Sequence, residues 1–153
     1  MNKILIILSF VVIASCSPNE SPLSPKEIPS GTLVERRGVH YEVNSETPFD
    51  GIAVMYHKNG QLQYKRNYKD GKRDGLTEGY YENGQLQYKV NYKDGKEHGL
   101  NSYYYDNGQL RYEENYKYGN RDGLEEWYYE NGELKSKVCY KTGERTDMSY
   151  CEK

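Results

Sequence analysis

The sequence predicts an all-β fold made of tandem 24-residue β-hairpins. Three observations point to it. Asn-Gly recurs at Asn59-Gly60, Asn83-Gly84, Asn107-Gly108 and Asn131-Gly132, always 24 residues apart. Two glycine columns keep the same step: Gly51, Gly75, Gly99 and Gly123 in one, Gly71, Gly95, Gly119 and Gly143 in the other. Two apolar columns do too, Leu62, Leu86, Leu110 and Leu134, and Tyr68, Tyr92, Tyr116 and Tyr140. Asn-Gly between alternating runs is a strong hairpin signal, and registered repeats bury a core only by stacking on their neighbours.

Composition by itself argues for disorder. Leu, Ile, Val and Phe make up 16 of the 123 residues from Gly31 to Lys153, about 13%, below the ~20% usual in globular chains. The 18 tyrosines and single tryptophan reverse that argument, since each aromatic side chain can bury roughly 150–250 Å². Net charge is −2 with both signs interspersed, so nothing marks a nucleic-acid surface.

In chain order, Met1–Ser15 carries one charge, Lys3, and an apolar run from Ile4 to Ala14. That run is too short to span a ~30 Å hydrocarbon core but suits a signal peptide. Ile13-Ala14-Ser15-Cys16 resembles the bacterial lipobox. The resemblance implies cleavage between Ser15 and Cys16 and lipidation of Cys16, hence a cell-envelope protein held to a membrane by acyl chains. Ser17 after the cysteine favours the outer membrane in a Gram-negative host. Residues 16–31, with Pro18, Pro22, Pro25 and Pro29, read as an extended tether, roughly 45 Å long if polyproline-like. Residues 32–50 read as a lead-in cap.

The repeats occupy 51–146, in units 51–74, 75–98, 99–122 and 123–146. Each offers a Tyr-rich run, an Asn-Gly turn, a second alternating run and a second turn with glycine. Numbered from its leading glycine, a unit has recurrent apolar columns at 2, 6, 12, 14 and 18 (Leu76, Tyr80, Leu86, Tyr88 and Tyr92). A three-residue Glu-Asn-Gly loop, its glycine left-handed, pairs column 6 with column 12 and places every even column on one face. The odd face would then carry Gln85, Gln87, Lys89 and Asn91 together with Tyr81, Tyr103, Tyr105, Trp127 and Tyr129. Mixed aromatic and polar faces bind sugars, peptides or proteins, so these five aromatics form the candidate interaction face. The plainer alternative is rings covering the sheet with wet edges.

Lys69-Asp70-Gly71-Lys72-Arg73-Asp74-Gly75 followed by Tyr80-Tyr81-Glu82-Asn83-Gly84 resembles the MORN repeat in its bacterial variant form, from Gly51 to about Tyr140. The segments from Leu33 to Tyr41 and Pro48 to Gly51 resemble the opening of such proteins. The family implies a row of hairpins in one elongated, twisted antiparallel sheet. Asp147 stands where glycine is expected, so 147–153 reads as a terminal cap.

No nucleophile motif, phosphate-binding loop or metal-ligand spacing is present, and no cofactor is implied. His40, His57 and His98 fall at unrelated positions. Asp70, Asp74, Asp94 and Asp122 flank turns, which Asp before Gly favours, and they lack the ligand spacing of a calcium loop. Cys139 in column 17 and Cys151 in column 5 of the incomplete fifth unit are expected to form a disulfide across the last turn. Free or redox-active thiols are the alternative, weakened because the pair is not Cys-x-x-Cys. The expected function is a non-catalytic scaffold for a protein or glycan partner. The resemblance adds a second reading, an antitoxin or immunity partner of a toxin.

Overall fold

A computed structural model of the protein describes residues 24–152. The expected signal peptide, the cleavage site at Ser15 and Cys16, and the start of the tether lie outside the described residues. Ahead of the repeats come β1 (Glu27–Pro29), β2 (Leu33–Arg36) and β3 (Val39–Glu42). The first two units supply β4 (Gly51–Tyr56), β5 (Leu62–Lys69), β6 (Lys72–Tyr80) and β7 (Leu86–Lys93). β8 (Lys96–Glu97) and β9 (Gly99–Tyr104) are two pieces of one hairpin arm. β10 (Leu110–Lys117), β11 (Asn120–Tyr128), β12 (Leu134–Lys141) and β13 (Glu144–Thr146) complete the array. From β4 to β13 the strands follow one another in an open antiparallel sheet, with β8 also on β7. β2 and β3 form a separate pair. This is the all-β hairpin array that the periodicity predicts.

Both turns of the unit follow from their residues. At the first, the Gly84 amide donates to Tyr81 O at 2.9 Å and the Tyr81 amide donates to Gln85 O at 2.8 Å. Gly84 has φ 83°, so the loop is the expected three-residue Glu82-Asn83-Gly84 turn, and Tyr80 pairs with Leu86. At the second, Asp70 and Gly71 have φ 49° and 70°, the two left-handed residues of a type I′ hairpin.

The expectation that all even columns share one face is corrected. Tyr80 opposes Leu86, but Gly79 opposes Tyr88, so Gln87 is an extra, bulged residue. The same slip recurs at Gln63, Arg111 and Lys135. Beyond it, column 14 lies opposite column 5, 16 opposite 3, and 18 opposite 1. The large column-14 ring thereby meets a partner shaped for it: a Cβ at Gly79 would collide with the Tyr88 ring. A bulge also adds local twist. A second irregularity lies opposite Asn67, where Arg66 pairs with Thr77 and Tyr68 with Arg73. Gly75, at φ 95°, makes that bend possible, and Asn67 Nδ2 donates to Leu76 O at 2.6 Å.

The tether is also corrected at its end. Ile28, hidden among prolines in the sequence, pairs with Ala53 in a parallel bridge to β4. It is buried with Phe49, Ala53 and Tyr68. Pro29 is tolerated because β1 is an edge strand. Residues 30–50 then lie against the first unit: Tyr64 Oη donates to Ser30 Oγ at 2.9 Å, and the rings of His40 and Phe49 sit 4.9 and 5.8 Å from Tyr68. At the other end, Cys139 and Cys151 are disulfide-bonded with Cα atoms 6.1 Å apart. Asp147 Oδ1 accepts the Ser149 amide at 2.9 Å, starting a terminal 3-10 turn in place of another strand.

The second turn of the fourth unit puts Thr142 at φ 49°, where a β-branched side chain is strained. Thr142→Asn should stabilise the protein by about 1 kcal/mol, read as a higher urea midpoint with unchanged slope.

Candidate functional site

The register slip builds one aromatic face. Tyr103 on β9 and Trp127 on β11 flank Tyr112 on β10. The Tyr103 and Tyr112 ring centroids are 4.2 Å apart at 11°, and those of Tyr112 and Trp127 are 4.3 Å apart at 17°. Tyr88 extends the row at 6.3 Å from Tyr103, tilted by 38°. These rings, with Tyr81, Tyr104, Gln87 and Arg111, line a groove of about 390 Å³.

The same face continues, two residues along these strands, into a buried polar patch. Asn101, Glu114 and Glu125 are 0%, 4% and 6% exposed. Arg121 bridges the two carboxylates, its Nε 3.0 Å from Glu114 and its Nη1 3.5 Å from Glu125. Trp127 Nε1 donates to Glu125 Oε1 at 2.9 Å, fixing the indole in its plane. Burial pushes the Tyr103 phenol up, aided by Tyr112, and burial likewise raises Tyr112. The Tyr103 and Tyr112 hydroxyls are thus held as neutral phenols. Burial also raises Glu114 above the ordinary carboxylate range, with Arg121 opposing.

Three ladders join the units and account for other residues singled out in the sequence. The turn asparagines bridge: Asn83 Oδ1 accepts the Gln85 amide at 2.9 Å while Nδ2 donates to Asp106 O at 3.1 Å. Column 7 does the same with phenols. Tyr81 Oη donates to Tyr104 O at 2.7 Å and Tyr105 Oη to Tyr128 O at 2.9 Å. His57 fills that column in the first unit, its Nε2 2.8 Å from Tyr80 O. Column 24 caps the second turns: Asp50 accepts the Asp70 amide, Asp74 that of Asp94 at 3.2 Å, and Asp122 that of Thr142 at 3.1 Å. His98 holds this position beside Tyr118, ring centroids 4.6 Å apart. Lys93, hydrogen-bonded to Asp74, holds that carboxyl below its usual range.

The expected interaction face is thus divided. Tyr81, Tyr103 and Trp127 line the groove. Tyr105 is outside the groove lining and spends its hydroxyl on the next unit, as Tyr81 does, and Tyr129 is half exposed at 50%. Gln87 joins the groove, while Lys89 and Asn91 pair with Glu78 and Leu76 on the opposite face. Sequence reasoning missed Tyr88, Tyr112, Arg111, Glu125 and Arg121. Gly79 facing Tyr88 was the available cue, a residue without a side chain opposite a large ring. Among the described residues no cluster of three or more His, Cys, Asp or Glu is placed to hold a metal ion.

An open array of hairpins, tied unit to unit and carrying an aromatic groove, is a repeat protein of the binding class. A family model described as the MORN repeat variant matches residues 49–70, 73–94, 97–118 and 121–142, more than half of the chain, and the protein belongs to that family. Such repeats typically mediate protein or membrane-lipid binding. No curated protein matches the chain.

Because folded Glu114 keeps its proton above the range where the unfolded chain releases it, stability falls as pH rises through that window. Glu114→Gln should therefore raise Tm by a few degrees at about pH 7, and the difference should vanish below about pH 3, where both states hold the proton. Thermal scans of both proteins across that range check it.

Proposed function

We propose that the protein is a lipid-anchored scaffold of the bacterial cell envelope that presents its groove to a protein or glycan partner. The observation that carries the binding half is the Tyr103–Tyr112–Trp127 stack, a rigid aromatic surface edged by Gln87 and Arg111. Rigid aromatics give contact area at low entropic cost, which suits a recognition surface. The anchoring half rests on Ile13-Ala14-Ser15-Cys16 and on chain direction. The segment after Cys16 reaches the array at its first unit, where β1 joins β4, while the groove belongs to the later units. The tethered end and the recognition surface are thus separated, with the tether holding the array off the membrane. Outer-membrane attachment follows from Ser17 if the host is Gram-negative.

An antitoxin- or immunity-type role has the same geometry available to it. It rests on family resemblance, and a lipid-anchored immunity protein meeting an incoming toxin is the version compatible with export.

Cells fed an alkyne fatty acid should label the wild-type protein and not Cys16→Ser, which should leave the membrane fraction; label on the variant rejects the anchor. In-cell cross-linking should recover a partner with wild type and lose it with Tyr103→Ala plus Trp127→Ala, provided circular dichroism shows the sheet retained. Undiminished recovery with the double variant would rule the groove out.

A further inference from the structure

The ring ladder stops one rung short. Column 14 carries Tyr64, Tyr88 and Tyr112 in the first three units and Ser136 in the fourth. Trp127 pairs directly with Tyr112 on one side, where the rings stack at 4.3 Å, and with Ser136 on the other. One face of the indole is therefore covered by Tyr112. The opposite face looks across β12 at an exposed hydroxymethyl group, where every earlier unit supplies a phenol ring. The indole cannot turn to close this space, because Nε1 is held by the buried Glu125 and the ring is backed by Tyr112.

We propose that the open face of Trp127 above Ser136 is a stacking subsite for a pyranose ring of an oligosaccharide, which continues along the groove as the missing rung. This deepens the scaffold reading above and rests on it. Two features favour a saccharide over an apolar peptide side chain. The residue paired with Trp127 on this side is Ser136, short, exposed and carrying a hydroxyl. The groove on the Tyr112 side of the indole offers further hydrogen-bonding groups, the phenols of Tyr88 and Tyr104 with Gln87 and Arg111, in place of a closed apolar pocket. A pyranose presents axial C–H groups to an indole face and hydroxyls at its rim, the same division of apolar centre and polar edge. Burial keeps the phenols of Tyr103 and Tyr112 in their neutral, donating form.

The chain has one tryptophan, so emission excited at the red edge, beyond tyrosine absorption, reports on this ring. Titration of the disulfide-bonded full-length protein with N-acetylglucosamine tetramer, and separately with glucose tetramer, should give a saturable change in that emission with at least one of them. Ser136→Tyr supplies the residue that the other units carry and should fill the subsite. It is expected to raise Tm while weakening saccharide binding roughly tenfold or more, a loss of at least ~1.4 kcal/mol. Ser136→Ala should retain most of the binding. Unaltered affinity in Ser136→Tyr, or no saturable signal with either tetramer, overturns the subsite. If cross-linking to a protein partner survives in Ser136→Tyr while neither tetramer binds, the saccharide proposal falls and the scaffold reading stands.

Discussion

Everything in this structure depends on side chains of one unit closing against the next across a single sheet. No second layer packs over the later units among the described residues, so their buried surface must come from within the sheet face itself. The bulge at column 13 is what allows it. By skipping Gln87, the strand brings Tyr88 over Gly79. By skipping Arg111, it sets Tyr112 against Tyr103 and then Trp127. Rings from adjacent strands, spaced ~4.8 Å apart by backbone hydrogen bonding, then stack at 4.2–4.3 Å. Tyrosine can serve as the core former of a chain poor in aliphatics because its face meets a neighbouring ring while its hydroxyl finds a carbonyl or water.

The same arrangement explains how polar residues come to be buried on that face. Glu114 and Glu125 are paired beside the aromatic row, two residues along the same strands, where Arg121 reaches both and Trp127 donates to one of them. Removing a partner from such a group leaves a buried charge or donor, which costs more than the hydrogen bond contributes. The polar patch therefore orients the indole. Asn67, Asn91 and Asn115 play the equivalent part on the opposite face, each donating to the carbonyl of Leu76, Leu100 or Leu124 where the backbone ladder is interrupted. Cys139 takes the place of that asparagine in the fourth unit, where a covalent link to Cys151 stands in place of the hydrogen bond.

Much of this was legible in the residues. The hairpins, the three-residue Glu-Asn-Gly loop, the tight turn at Asp-Gly and the pairing of Cys139 with Cys151 follow from spacing and turn chemistry. The groove did not follow, for a specific reason. A bulged residue is unpaired and needs no particular side chain, and Gln63, Gln87, Arg111 and Lys135 accordingly share nothing that announces the slip. Simple alternation carried past that point puts Tyr112 on the wrong face and separates it from Tyr103 and Trp127. Ile28 was hidden in a different way. Four prolines around it suggested a spacer, and only its contact with Ala53, Phe49 and Tyr68 shows it as the start of the fold.

The ladders along the two turn edges also bear on how such a gene can change length. Asn83 reaches residue 106, Tyr81 reaches 104 and Asp74 reaches 94, so each link measures a fixed interval to the next copy. Duplication or loss of a whole 24-residue segment would splice every one of these rows without a mismatch. Insertion of a single amino acid would sever several rows at once. Recombination between copies is thus the route by which relatives should differ in size, by whole multiples of the period, with the proline-rich entry and the cystine-closed exit left at either end.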